Sequence, residues 1–172
     1  MISAQCKAIT RRSLLTRYSS WLLRLLTAAI FVTGTASVAA EQVQEKQAEA
    51  VLNSLHQSAA DANWDTYFSL YLPDAVFIGT DVNEHWNMAE FQRYARPTDG
   101  WTYSLKTRTL VRHGNVIVFD ELLDSRSYGV SRGTGTLLLT ATGWKVAQYH
   151  LSFPIPNELA KEITAKIKSE ER

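Results

Sequence analysis

The stretch from Arg132 through Thr140, then Ala141-Thr142-Gly143, then Trp144 through Phe153 most restricts what this chain can fold into. Two runs rich in strand formers flank a turn of small residues, which is a β-hairpin signal. Pro154 and Pro156 close the second run, where the chain must leave its ladder. A three-residue loop with Gly143 left-handed, forming a bulge, suits a glycine directly before a strand. That register sets Thr140 opposite Trp144 and Thr134 opposite His150. Arg132, Thr134, Gln148, His150 and Ser152 then share one face; a two-residue loop would slip the pairing by one and put Gly135 beside His150. The polar stripe predicts a curved sheet with a partly polar, partly aromatic concavity.

The chain has a chemically separate start. Lys7, Arg11, Arg12, Arg17 and Arg24 stand in the first forty residues without any Asp or Glu. An apolar stretch from Leu25 to Val32 trails into Ser37-Val38-Ala39-Ala40. A basic start, a short apolar middle and a small-residue finish predict an export signal over residues 1–40, cut after Ala40 or Ala39. The sixteen residues from Leu25 to Ala40 fall short of the about 20 that span a bilayer, so no stable membrane anchor is expected after cleavage. Thr10-Arg11-Arg12-Ser13-Leu14-Leu15 also fits a twin-arginine signal. The expected location is the periplasm or the exterior.

Residues 41–172 read as one domain. They keep 13 basic against 17 acidic residues, a net charge of −4, with no cluster of Lys or Arg. Phosphate affinity comes from such clusters, so nucleic acid is excluded as a partner. The only cysteine, Cys6, lies in the signal, which removes disulfides and thiolate chemistry from the mature domain.

Ala48, Val51, Leu52, Leu55, Ala59 and Ala62 recur at helical spacing and predict a first helix over 42–62. Asn63 caps a short second helix through Trp64, Tyr67, Phe68 and Tyr71, which Pro73 stops. Ala75–Gly79 is a strand, Thr80–Asn83 a turn, and Glu84-His85-Trp86 pairs back. Asn87 with Glu90 forms a capping box that opens a helix over Met88–Ala95. Strands follow: Trp101–Val111, alternating through Tyr103, Leu105, Thr107 and Thr109, and then Val116–Leu123. The last hairpin and a helix striped by Leu159, Ala160, Ile163 and Ile167 complete the chain. Helices followed by an antiparallel meander make an α+β fold, with helices on one face of a bent sheet and a conical hollow between the layers.

With these elements in place, the chain resembles the SnoaL-like branch of the nuclear transport factor 2-like superfamily. The resemblance rests on Phe77-Ile78-Gly79-Thr80-Asp81 with Glu84 and Trp86, on Phe119-Asp120-Glu121, and on Tyr128-Gly129-Val130. It rests also on Arg132-Gly133-Thr134-Gly135 and on Gly143–Ser152 with Pro154, Pro156, Asn157 and Glu158. It runs from about Val51 to Ile167. The resemblance implies a cone-shaped sheet wrapped around N-terminal helices, and a homodimer through the sheet's outer face. Isomerases, cyclases, dehydratases and non-catalytic binding domains share this architecture, so the fold leaves function open.

The polar candidates follow from the hairpin. His150 can move a proton near neutral pH or donate to a ligand; as a lone strand histidine it also fits a satisfied core position. Arg132 suits a ligand carboxylate, or equally an ion pair with Asp120 or Glu121. Asp120 and Glu121 are adjacent on a strand, so only one faces the hollow, where burial would raise its pKa as a general base needs. His150, Glu121 and Asp120 are therefore the catalytic candidates. Arg132, Gln148, His150, Trp86, Tyr67 and Asp81 are the ligand-binding candidates, with Asp81, Glu84 and Trp86 near the mouth. No His, Cys, Asp or Glu set has zinc spacing, and neither a phosphate loop nor a nucleophile elbow is present. No metal or cofactor is expected. Three functions stay open: an exported domain holding a small, partly apolar molecule, an isomerase-, cyclase- or dehydratase-type enzyme, and a dimerising scaffold.

Overall fold

The computed structural model describes residues 41–170; the expected export signal, residues 1–40, lies outside the described residues. Residues 41–60 are helical (α1), and the compact unit that holds the sheet begins at Glu45. Ala48, Leu52, Leu55 and Ala59 are all buried, which is the stripe expected from their spacing. Asn63 caps α2 (Trp64–Ser69) by accepting from Thr66 N at 3.3 Å. This helix stops at Ser69, short of the expected Tyr71. Tyr71 instead opens β1 (Tyr71–Ile78), and Pro73 sits inside a register shift between Tyr71 and Val76, where a missing N–H does no harm.

Strand β2 (His85–Asn87) pairs back antiparallel on β1. The capping box at Asn87 and Glu90 forms as expected, with both bonds at 3.0 Å, and starts α3 (Met88–Ala95). Then come β3 (Ser104–His113), β4 (Val116–Ser125), β5 (Gly129–Thr140), β6 (Gly143–Ser152) and α4 (Asn157–Glu170). The single six-stranded sheet has the order β2-β1-β6-β5-β4-β3. The last four strands form the expected antiparallel meander, but β1 joins it parallel to β6, so the sheet is mixed. The fold class is α+β. The apolar stripe of α4 is uncovered: Leu159 and Ile167 are exposed.

The sheet has three register irregularities, and two of them, in β3 and β6, decide which side chains face the helices. In β1 Tyr71, Ala75 and Phe77 keep the same buried side across the register shift, as plain alternation requires. In β3 the pairing jumps between Leu105 and Thr107, so Lys106 is the extra residue. Thr107, Thr109 and Val111 are thereby turned to solvent, and Arg108 and Leu110 turn inward. In β6 the loop is Ala141-Thr142, with Thr140 opposite Gly143 rather than Trp144, although Gly143 does adopt a left-handed φ of 105°. The bulge lies instead at Ala147, and it restores Thr134 opposite His150. Trp144 and Val146 are buried before it, and Tyr149 after it.

The core is unusually aromatic. Phe91 is fully buried, stacked on Phe77 at 3.9 Å between ring centroids and edge-on to Tyr67. Trp101 precedes β3, donates its backbone N–H to Ala59 O at the end of α1, and packs its ring on Trp64 at 4.8 Å.

Candidate functional site

Strand β4 alternates strictly: Ile117, Phe119, Glu121, Leu123 and Ser125 are buried, and Asp120 is not. The adjacent acids therefore divide as expected, and the inner one is Glu121. Its neighbours across the sheet are Arg108 on β3 and Gly133 on β5, directly in register. Arg108 donates from Nε to Glu121 Oε2 at 2.8 Å and from Nη1 to Asn53 Oδ1 of α1 at 2.7 Å. Its Nη2 is buried without a partner. Glu121 Oε1 accepts from the Tyr149 hydroxyl at 2.7 Å and lies 2.7 Å from His56 Nε2 of α1.

Gly133 makes this arrangement possible. A Cβ there would collide with the Tyr149 hydroxyl and press on Glu121 Oε1, so only glycine leaves the phenol a path to the carboxylate. The buried acid is thus held by three side chains from two layers of the fold. Burial works against its ionisation, but His56, Tyr149 and Arg108 together outweigh it and hold the Glu121 carboxyl below its ordinary range. The sequence expectation was a raised value for a buried acid; the sign is reversed because burial comes with hydrogen-bonding and charged partners. Burial and the adjacent Glu121 charge push the Tyr149 phenol well above its ordinary value, which keeps it a donor.

A cavity of about 240 Å³ opens above this cluster. Leu55, His56 and Ala59 of α1 line one side, and Tyr149 and Leu151 of β6 line another. Nine of the lining residues are aromatic. Tyr67, Phe77, Trp86, Tyr94, Trp101 and Tyr103 form walls, Tyr128 and Phe153 pair at 5.1 Å, and Tyr149 joins the cavity to Glu121. Thr80 and Glu84, from the turn after β1, add polar groups. Since Nε2 of His56 is engaged by Glu121, Nδ1 is its second nitrogen, and it has no protein partner among the described residues.

The structure brings together some of the expected site residues and separates others. Trp86 and Tyr67 line the cavity, and Glu121 lies behind its wall. Asp81 is exposed in its turn, where its carboxylate accepts from Asn83 N at 2.8 Å. Arg132, Gln148 and His150 do share one face, but it is the outer one, since Tyr149 and Leu151 between them line the cavity. The Ala147 bulge is the reason, because it reverses the parity set by Trp144 and Val146. Asp120 also faces outward, and Arg132 pairs with it at 3.4 Å. His56 and Arg108 were not singled out from the sequence. The available signal for His56 was its place four residues after Leu52 and three before Ala59, within the apolar stripe. Arg108 had none, because the Lys106 bulge is silent in the alternation.

No described helix is long and apolar enough to cross a membrane, and no group of three or more potential metal ligands occurs among the described residues.

Solved structures share this fold. An NTF2-like protein of unknown function from Pseudomonas putida KT2440 aligns with a TM-score of 0.59 at 17% identity, covering 68% of this chain and 91% of that one. An NTF2-like protein with a cystatin-like fold from Novosphingobium aromaticivorans gives 0.59 at 14%, covering 76% and 94%. A cystatin-like fold protein from Burkholderia xenovorans LB400 gives 0.56 at 16%, covering 64% and 92%. No curated protein matches the chain in sequence. The family model for the SnoaL-like domain matches residues 48–156, the span that holds the whole sheet, α2, α3 and most of α1. With the mixed sheet, the helix-covered inner face and the cavity between them, that match makes this chain a member of the SnoaL-like family within the NTF2-like fold.

Proposed function

We propose that the domain holds a compact, mostly apolar small molecule in the cavity between α1 and the sheet. One observation carries this reading: about 240 Å³ of space walled by nine aromatic side chains, with His56, Thr80, Glu84 and the tyrosine hydroxyls as the polar groups that can orient an occupant. The test is a panel of small aromatic and alicyclic compounds added to the full chain, read by tryptophan fluorescence and thermal shift. Trp86 and Trp101 line the cavity and report on it directly. Some panel members should quench and stabilise, and Trp86→Ala should weaken them. A panel without any response, or one that Trp86→Ala leaves unchanged, would remove the reading.

A second reading, proton-transfer catalysis, is favoured by His56. Its ring lines the cavity, and a buried carboxylate 2.7 Å from Nε2 orients it. A histidine held so, with a free Nδ1, has the geometry of a general base. His56→Gln should then keep binding of a panel compound and lose its turnover. Turnover that survives His56→Gln would exclude this role.

Export and pairing belong to the same proposal. Residues 1–40 would direct the domain out of the cytoplasm, and N-terminal sequencing of the mature protein would show the cut. On the outer face, exposed Val111 and Val118 lie directly opposite each other, which suits an apolar contact with a second copy. Sedimentation of the exported protein as a monomer would rule that out.

A further inference from the structure

We infer that the cavity selects a compact organic cation, a quaternary ammonium or protonated tertiary amine with small apolar substituents, over neutral or anionic molecules of the same shape. This rests on the binding reading above and names the ligand class of that site.

The charges around the cavity carry the argument. Glu84 is the one carboxylate among the described lining residues, and neither Lys nor Arg is among them. The Glu84 carboxylate is fixed: it accepts from Asp81 N at 3.1 Å and packs against the bare backbone of Gly79, where any Cβ would displace it. Glu90 and Asp81 are bound up elsewhere, in the cap of α3 and in the turn. The guanidinium nearest the floor, Arg108, is committed to Glu121 and Asn53, so its charge is already matched. An entering ligand therefore meets one unmatched acid.

The walls add to the same field. Aromatic faces carry negative potential, and a cation over Trp or Tyr is held more strongly once water is excluded. Trp86 and Tyr94 pack at 4.7 Å beside the Glu84 turn, and Trp101 and Tyr103 line the same space. A neutral ligand gains only apolar contact from these rings. An anion meets both the rings and Glu84 unfavourably. His56 and Tyr149 at the floor leave room for a polar end on the ligand without supplying a fixed positive charge of the Arg or Lys kind.

The test compares choline with its uncharged carbon isostere, 3,3-dimethylbutan-1-ol, on the full chain by calorimetry and tryptophan fluorescence. Choline is expected to bind at least tenfold more tightly. Glu84→Gln keeps the acceptor for Asp81 N and removes the charge; it should cost choline about tenfold and leave the alcohol within twofold. Thr80→Lys, at an exposed lining position, should abolish choline binding and spare the alcohol, and it serves as the second variant if Glu84→Gln does not fold. Equal affinity for the two probes would overturn charge selection while leaving the binding reading intact. Neither probe binding, with hits among the neutral panel, would do the same. Neither probe nor panel binding would overturn both.

Discussion

The two faces of β4 carry the same chemistry one residue apart, Glu121 paired inward with Arg108 of β3 and Asp120 paired outward with Arg132 of β5, with opposite consequences. On the inner face Arg108 and Glu121 meet at 2.8 Å with side chains 3% and 0% exposed. On the outer face Arg132 and Asp120 meet at 3.4 Å with side chains 46% and 52% exposed. The inner pair has lost its water and must be satisfied by protein. Glu121 has three partners for that reason, and Arg108 ties the sheet to α1 through Asn53. The outer pair keeps its water and gains little from contact. The difference teaches that a strand's parity, more than its composition, decides whether a charged residue becomes part of a site.

The strongest way to break this contrast is Arg108→Ala. Removing one partner of a buried pair leaves a charge uncompensated, and stability should fall by about 3 kcal/mol in denaturant unfolding, since His56 and Tyr149 still hold the carboxylate. A loss no larger than that of an outer-face variant would contradict it. Gly133→Ala comes next. The added methyl collides with the Tyr149 hydroxyl, and overpacking of this kind costs about 1–3 kcal/mol. Tyr149→Phe removes the colliding oxygen, so the double variant should lose less than the sum of the two single ones; strict additivity would refute the steric account.

Acid sharpens the comparison further. Glu121 is held below its ordinary value of 4.5 in the folded chain, so its ionised form stabilises the fold. That contribution is complete above the unfolded-state value and is lost as pH falls through the folded-state value. Wild type should therefore lose stability below about pH 4.5 more steeply than Glu121→Gln, as read from denaturation midpoints across the acid range. Parallel acid limbs would show that the carboxylate contributes nothing. The smallest effect is expected outside: Asp120→Ala and Arg132→Ala should each cost under about 0.5 kcal/mol, and added salt should erase the difference.

Much of the fold was legible. The stripe from Ala48 to Ala59, the Asn63 cap, the Asn87–Glu90 capping box and the last hairpin all depend on neighbours within a few residues, and all appear. The site was legible only in part. Trp86, Tyr67 and Glu121 take positions in or behind the cavity wall, and the division between Asp120 and Glu121 follows from strand alternation alone. His150, Gln148 and Arg132 were expected to turn inward and instead face away. Their mutual alignment was correct, and only the side of the sheet was reversed.

While the end of α2 and the length of the hairpin turn came out differently, the sequence by itself determined most of the helix and strand segments, their caps and which residues of the last hairpin share a face. Those properties arise from local sterics and hydrogen bonds. The tertiary structure decided the parity of each strand relative to the helices, because an extra residue at Lys106 or Ala147 costs little locally and exchanges inside for outside. It also decided that His56 and Arg108, fifty-two residues apart in the chain, converge on Glu121, since only packing across the two layers brings them within hydrogen-bonding distance.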